Sequence, residues 1–221
     1  MSEVIISNRT CTDPITLIGE MAGVCYHAKI NDNEKNYKRG LDCLNSQHGR
    51  PTEFPDVYMV FDDYSARVMR EYYTHIGGSP TRLQESTRYI EYGNFGYIIP
   101  ETFNQEQIDI YERTMHQISE GYKDLIATGV AKEDAAYLLP LGMKSDVVCK
   151  INLRTLMDMS HQRMCNRAHW EFRKLFNNII KSLSDYSDEW KYVAEHYFMP
   201  KCKYLGRCPE TRPCSTGYKA K

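Results

Sequence analysis

Neither sign of charge prevails in this sequence: 28 Lys and Arg stand against 29 Asp and Glu, for a formal net charge of -1. That balance excludes the broad basic surface of a nucleic-acid binder, so any anion site must be local. No run of eighteen apolar residues occurs, and no membrane span is predicted. The opening "MSEVIISNRT" has no basic region followed by an apolar run, so no signal peptide is expected and the location predicted is cytoplasmic. There is no internal repeat and no low-complexity linker. In that compartment the 8 cysteines are expected mostly as reduced thiols.

What is present is enough for one hydrophobic core. At 221 residues, with 42% hydrophobic residues and 17 tyrosines, the chain reads as one globular domain over 1–200 with a polar, cysteine-bearing tail over 201–221. A helix is predicted from Thr12, which can cap it, with Pro14 in its first turn; a more polar one follows from Glu34 to Ser46. "DVYMVFD" reads as a strand, "YSARVMREYYTHI" as a helix stopping at Gly77 and Gly78, and "DVVCKINL" as a strand entering a helix near Asn152. Ile108, Tyr111, Met115, Ile118, Tyr122 and Leu125 alternate three and four apart, as the buried face of a long helix demands. A comparable run extends from Phe172 through Phe176, Ile179, Leu183, Tyr186, Trp190 and Val193 to Tyr197. Few strands and several long helices predict an α+β fold.

Two segments carry candidate chemistry. In "GGSPTRLQESTRYIEY", residues 77–92, the glycines allow close backbone approach, and Arg82 and Arg88 offer fork-shaped donors beside Ser79, Gln84 and Ser86. The apolar alternation of a core strand is missing there, so a loop binding an anion stands against an ordinary solvated loop. In "NLRTLMDMSHQRMCNRAHWEFR", Arg154, Arg163, Arg167 and Arg173 line a predicted helix. Arg163 and Arg167, four apart, would repel unless an anion or Glu171 sat nearby.

Together these segments resemble the flavin-dependent thymidylate synthases. The resemblance rests on His75, then Ser86, Arg88 and Tyr89, then Asn152, Arg154, Arg163 and "RAHWEFR"; "MAGVCY" and "LLP" extend it over most of residues 14–173. It implies a central, mostly antiparallel sheet flanked by long helices, assembled as a homotetramer with sites shared between subunits. The implied reaction is the reductive methylation of dUMP to dTMP, with FAD as electron carrier, NADPH to reload it and methylenetetrahydrofolate as carbon donor. No cysteine nucleophile, metal, nucleic acid or membrane is implied.

Position by position, Gln84, Glu85, Ser86 and Arg88 match the nucleotide-lining segment. Arg163 matches an arginine on the uracil, where a cation would stabilise negative charge developing on the base. His75, Asn152 and Arg154 match flavin-contacting positions, and Asp158 stands where a second asparagine is usual. The chain departs from the pattern elsewhere too: Thr74 and Ile76 replace arginines flanking the histidine, two extra residues separate His75 from Ser86, and Ala136 replaces another arginine before the Leu-Pro. The longer "GGSPTR" loop is expected to compensate, with the Gly77 and Gly78 amides and Arg82 reaching the cofactor anion. Because of these losses, a related enzyme using a different pyrimidine nucleotide and a non-catalytic nucleotide- or flavin-binding protein stay open as alternatives.

Other features invite simpler readings. His161, Cys165 and His169 fall on one predicted helix face, but two helical turns is too long a rise for one ion. Cys202, Cys208 and Cys214 could join His196 in a zinc site, yet their spacing fits no Cys-x-x-Cys knuckle, and free thiols are expected. Cys25, Cys149 and Cys165 read as small core residues.

Overall fold

The computed structural model describes residues 2–77 and 80–214, so Gly78 and Ser79 of the "GGSPTR" loop, and everything past Cys214, lie outside the described residues. Four strands form one sheet in the order β1 (Glu3–Ile6), β2 (Asp56–Ser65), β4 (Lys144–Asn152), β3 (Thr81–Gln84). β1 runs antiparallel to β2: Ser2 Oγ donates to the Asp63 carbonyl and Ser7 N to the Tyr58 carbonyl. β2 and β4 are also antiparallel, with Asp63 beside Asp146 at one end and Asp56 beside Lys150 at the other. Strict alternation of buried and half-buried residues along Asp56–Phe61 is what a sheet with one core face produces. The α+β expectation therefore holds. β3 is a departure from the loop reading of residues 77–92: it is a short, mostly exposed strand, which is why it carries no apolar alternation.

The chain divides into two compact units. One comprises 4–60, 75–82 and 148 onward. Its first helices, α1 (Pro14–Gly23) and α2 (Asn33–Asn45), approach backbone to backbone through Gly19 and Gly40: a Cβ on Gly19 would sit 1.8 Å from the Asn36 carbonyl oxygen, and one on Gly40 1.9 Å from that of Ile15. Thr12 does not cap α1. Residue Asp13 precedes it with no side-chain cap, and the Glu189 carboxylate accepts from Ile15 N at 2.6 Å and Thr16 N at 3.0 Å instead. Around the same turn, Tyr186 Oη donates to the Thr10 carbonyl, Ser187 Oγ to that of Thr12 and Trp190 Nε1 to that of Cys11.

The arginine-bearing segment is not one helix. α6 (Leu153–Arg163) ends at Arg163, and α7 (Trp170–Tyr186) starts after a six-residue connection. His161, Cys165 and His169 therefore share no helix face, and Arg167 is not on the face of Arg163. The long apolar run is also divided, into α7 and α8 (Asp188–Tyr197), where Ser187 turns to extended backbone and caps α8 through Trp190 N. Periodicity survives because both helices bury the same kind of stripe: Phe172, Phe176, Ile179, Leu183, Trp190 and Val193 are all buried. A short helix, α9 (Lys201–Leu205), follows in the tail.

The other unit comprises 61–74 and 83–147 with the first residues. α3 (Ala66–Tyr72) is shorter than predicted at both ends: Tyr64 and Ser65 finish β2, Ser65 Oγ accepting from Val68 N as N-cap, and the helix stops at Tyr72 rather than at Gly77, with Thr74 Oγ1 turning back to donate to the Glu71 carbonyl. α4 (Gln105–Ala127) is the predicted long helix, opened by an Asn104/Gln107 capping box. Of its expected apolar face only Met115 and Tyr122 are buried; Ile108, Tyr111, Ile118 and Leu125 are half-buried. Tyr122 packs with Tyr92, Ala135 of α5 (Lys132–Ala135) and Met143 in a small core.

Candidate active site

In the unit holding residues 148 onward, Asn152 ends β4 and caps α6: its Oδ1 accepts from Thr155 N at 2.9 Å. Thr155 Oγ1 lies 2.8 Å from both Asn152 Oδ1 and the Gly77 carbonyl, so the "GGSPTR" loop is tied at its start to the first turn of α6. At the other end of α6, Arg163 Nε donates to His75 Nε2 at 2.9 Å, and the guanidinium lies 4.2 Å from the Phe172 ring centroid. Arg82 Nη1 donates to the His75 carbonyl at 3.3 Å. Burial, then the charges of Arg163 and Arg82, depress the His75 pKa to about 4, so the imidazole is neutral at pH 7 and can accept. His75, Arg82 and Arg163 thus come together as a cationic group around one neutral histidine.

Arg154, Asp158 and His161 lie four and three residues apart on the polar face of α6, while Leu156, Met159 and Ser160 on the other side are buried. That polar face makes one wall of a cleft of about 200 Å³. The opposite wall is the end of α2 and the following turn, with Cys43, Gln47, His48 and Thr52; Tyr204 of α9 closes one side. Arg154 Nη1 is held by Glu53 Oε1 at 2.6 Å, and this bond, with Arg50 nearby, keeps the Glu53 carboxyl below its ordinary range. Burial lowers His161, with Asp158 opposing. A cation, a carboxylate, two imidazoles and an aromatic ring around a narrow cleft suit a ring joined to phosphate, so the residues present fit a flavin nucleotide.

In the unit holding 83–147, the predicted nucleotide segment is braced from β4. Gln84 Nε2 donates to Ser145 Oγ at 2.9 Å, Glu85 N to the Asp146 carbonyl, and Glu85 Oε2 accepts from Asp146 N at 3.0 Å. Ser86 Oγ accepts from Arg88 N at 3.2 Å, starting a tight turn. Arg88 Nε pairs with Glu133 Oε2 at 2.6 Å, three residues before Ala136.

Sequence reasoning missed His48, Thr52, His161 and Tyr204 as cleft residues. Nothing in spacing announces them: Glu53 and Arg154 are 101 residues apart. Among the described residues, the only three candidate metal ligands within 4.8 Å of one another are Asp62, Asp63 and Asp146, and Lys144 Nζ sits 2.5 Å from Asp63 Oδ2. Cys25, expected in the core, is exposed, Cys165 is half-buried and Cys149 is buried.

The architecture is shared with nucleotide-methylating enzymes. Superposition on the flavin-dependent thymidylate synthase ThyX of Helicobacter pylori, solved with FAD and dUMP, gives a TM-score of 0.70 at 17% identity over 89% of this chain and 99% of that one. The UMP/dUMP methylase PolB of Streptomyces cacaoi, bound to 5-Br dUMP, gives 0.73 at 17% identity over 90% and 96%. Residues 7–186 match the family described as thymidylate synthase complementing protein, and the chain belongs to that family. Among curated relatives, the flavin-dependent thymidylate synthase of Clostridium tetani is 29% identical over 90% of this chain and 87% of its own length. That of Pyrococcus furiosus is 31% identical over 58% of this chain; the match spans about half, 54%, of that relative's length.

Proposed function

We propose that the protein is a flavin-dependent thymidylate synthase, converting dUMP to dTMP with FAD, NADPH and methylenetetrahydrofolate. The observation that carries this reading is the fixed Arg163. A guanidinium held by a neutral histidine on one side and an aromatic face on the other is oriented before substrate arrives, and electrostatic stabilisation of a charged pyrimidine works best when the cation need not reorganise. Arg163 is the catalytic residue in this reading, bearing on the uracil as its ring gains negative charge.

Bound FAD supplies the electrons for reducing the transferred carbon. Arg154, Asp158 and His75 hold it, with Arg82 supplying charge that Thr74 and Ile76 cannot. The side-chain carbonyl of Asn152 caps α6, so a contact from Asn152 to cofactor falls to its amide nitrogen. Gln84, Glu85, Ser86 and Arg88 bind the nucleotide. A homotetramer is part of the reading; Leu83, Tyr89 and Tyr137, which one chain leaves 71%, 74% and 92% exposed, are the apolar surface it would cover.

Purified protein tests this directly. The expected result is a yellow flavin spectrum, NADPH-dependent flavin reduction, and tritium release from C5-labelled dUMP that requires the folate; sedimentation should give four chains. Flavin turnover without release from dUMP would overturn the substrate.

A second reading, a weaker or altered phosphate grip suited to a different pyrimidine nucleotide, is favoured by one observation: Arg88 is already paired with Glu133 where Ala136 supplies no second cation. Release from labelled UMP exceeding that from dUMP would select it.

A further inference from the structure

Tyr204 belongs to the tail, outside the residues 7–186 that match the family, yet its ring lines the cleft beneath α6. Two contacts fix it. The ring stacks on His161 with centroids 4.4 Å apart and planes 28° from parallel, and Oη donates to Gln47 Oε1 at 3.0 Å. The segment bearing it is anchored on both sides. Before it, Met199 N donates to Ser160 Oγ at 3.2 Å. After it, Gly206 takes a left-handed turn, Cys208 is buried, and the Arg212 carbonyl accepts from Arg167. The tail therefore folds back along α6, and Tyr204 is held though 45% exposed.

Fixing an exposed tyrosine costs side-chain entropy, and the two contacts spend it on a ring that faces a cleft rather than a core. The cleft also carries the Arg154 cation and, at about 200 Å³, suits a single ring system rather than a whole dinucleotide. We propose that Tyr204, stacked with His161, is the aromatic wall against which a planar heteroaromatic ring of the cofactor lies, making the C-terminal segment part of the binding site. This rests on the reading of the cleft as a flavin-nucleotide site. The ring is either the isoalloxazine or the adenine of FAD.

The test is titration of the full-length protein with FAD and with FMN, followed by flavin fluorescence and calorimetry, in Tyr204→Ala, Tyr204→Leu, Tyr204→Phe and Arg154→Ala. Melting curves confirm that each variant folds. Tyr204→Ala and Tyr204→Leu are expected to weaken FAD binding about ten-fold, the size of one lost ring stack, while Tyr204→Phe stays within about two-fold because its π face remains. Weakening for FAD and FMN alike assigns the isoalloxazine; weakening for FAD alone assigns the adenine. Loss in Tyr204→Phe equal to that in Tyr204→Ala overturns the stacking wall, since the hydroxyl would then be the active group. Weakening by Arg154→Ala with none by Tyr204→Ala overturns the wall and leaves the cleft as the cofactor site. No effect of either variant removes the cleft reading, and this proposal with it.

Discussion

Arg163 Nε donates a hydrogen bond to His75 Nε2 across 88 residues of sequence, and the bond exists only while the imidazole is neutral. Protonating His75 would replace an acceptor with a third positive charge beside Arg163 and Arg82.

A pH dependence of stability follows. The folded-state pKa of about 4 lies below the ordinary 6.5, so between those values the unfolded chain binds the proton and the folded chain does not. The contribution of His75 is complete above about pH 6.5 and is lost as pH falls through about 4. Urea denaturation at steps between pH 7 and pH 4 should show this loss, and His75→Gln, which keeps an acceptor but does not titrate, should flatten it. An unchanged slope in that variant would refute the assignment.

Glu189 replaces the missing cap of α1 with two charge-assisted bonds to backbone amides and a third from Thr16 Oγ1. Glu189→Ala should cost about 2 kcal/mol and Glu189→Gln about half of that. Equilibrium unfolding in urea reads both values, and equal costs would mean that the charge is irrelevant.

Gly40→Ala should be among the most damaging single-methyl changes. The new carbon would meet a backbone oxygen, which cannot swing aside as a side chain can. A loss of about 3 kcal/mol or more is expected, read as a fall in melting temperature. Gly129→Ala is the contrasting case: nothing lies within 4 Å of a Cβ there, but φ is +88°, so its cost is backbone strain alone, about 1 kcal/mol.

Tyr122 is fully buried in the small core with Tyr92, and its hydroxyl has no hydrogen-bond partner among the described residues. Tyr122→Phe should leave the isolated chain as stable or raise stability by about 1 kcal/mol, because an unpaired buried hydroxyl carries a desolvation cost. A large loss would reveal a partner contributed by another subunit.

Local chemistry made much of this legible in sequence. The stretch "DVVCKINL" announced a strand giving way to a helix near Asn152, and the alternation of Phe172, Phe176, Ile179 and Leu183 announced a buried stripe. Some boundaries that failed were decided by distant partners: α1 starts where Glu189 supplies a cap, and α3 starts late because Tyr64 and Ser65 extend a strand into the sheet; its early end at Tyr72 goes with a local bond from Thr74 to the Glu71 carbonyl. The motif residues pointed to Arg163, Arg154 and Asp158. They could not reveal Tyr204 or Glu53, whose places depend on chain returning from far away. Nor could they show that Arg88 meets Glu133.

The ties between residues 10–16 and residues 186–190 bear on how the protein is made. The first helix leaves the ribosome early, but the carboxylate, hydroxyls and indole that complete its entry turn are translated more than 170 positions later. The nascent helix α1 must wait, unfinished, until residues 186–190 have been made. Ribosome-stalled chains released before residue 186 should therefore expose α1 and α2 to protease, and chains extended beyond α8 should protect them.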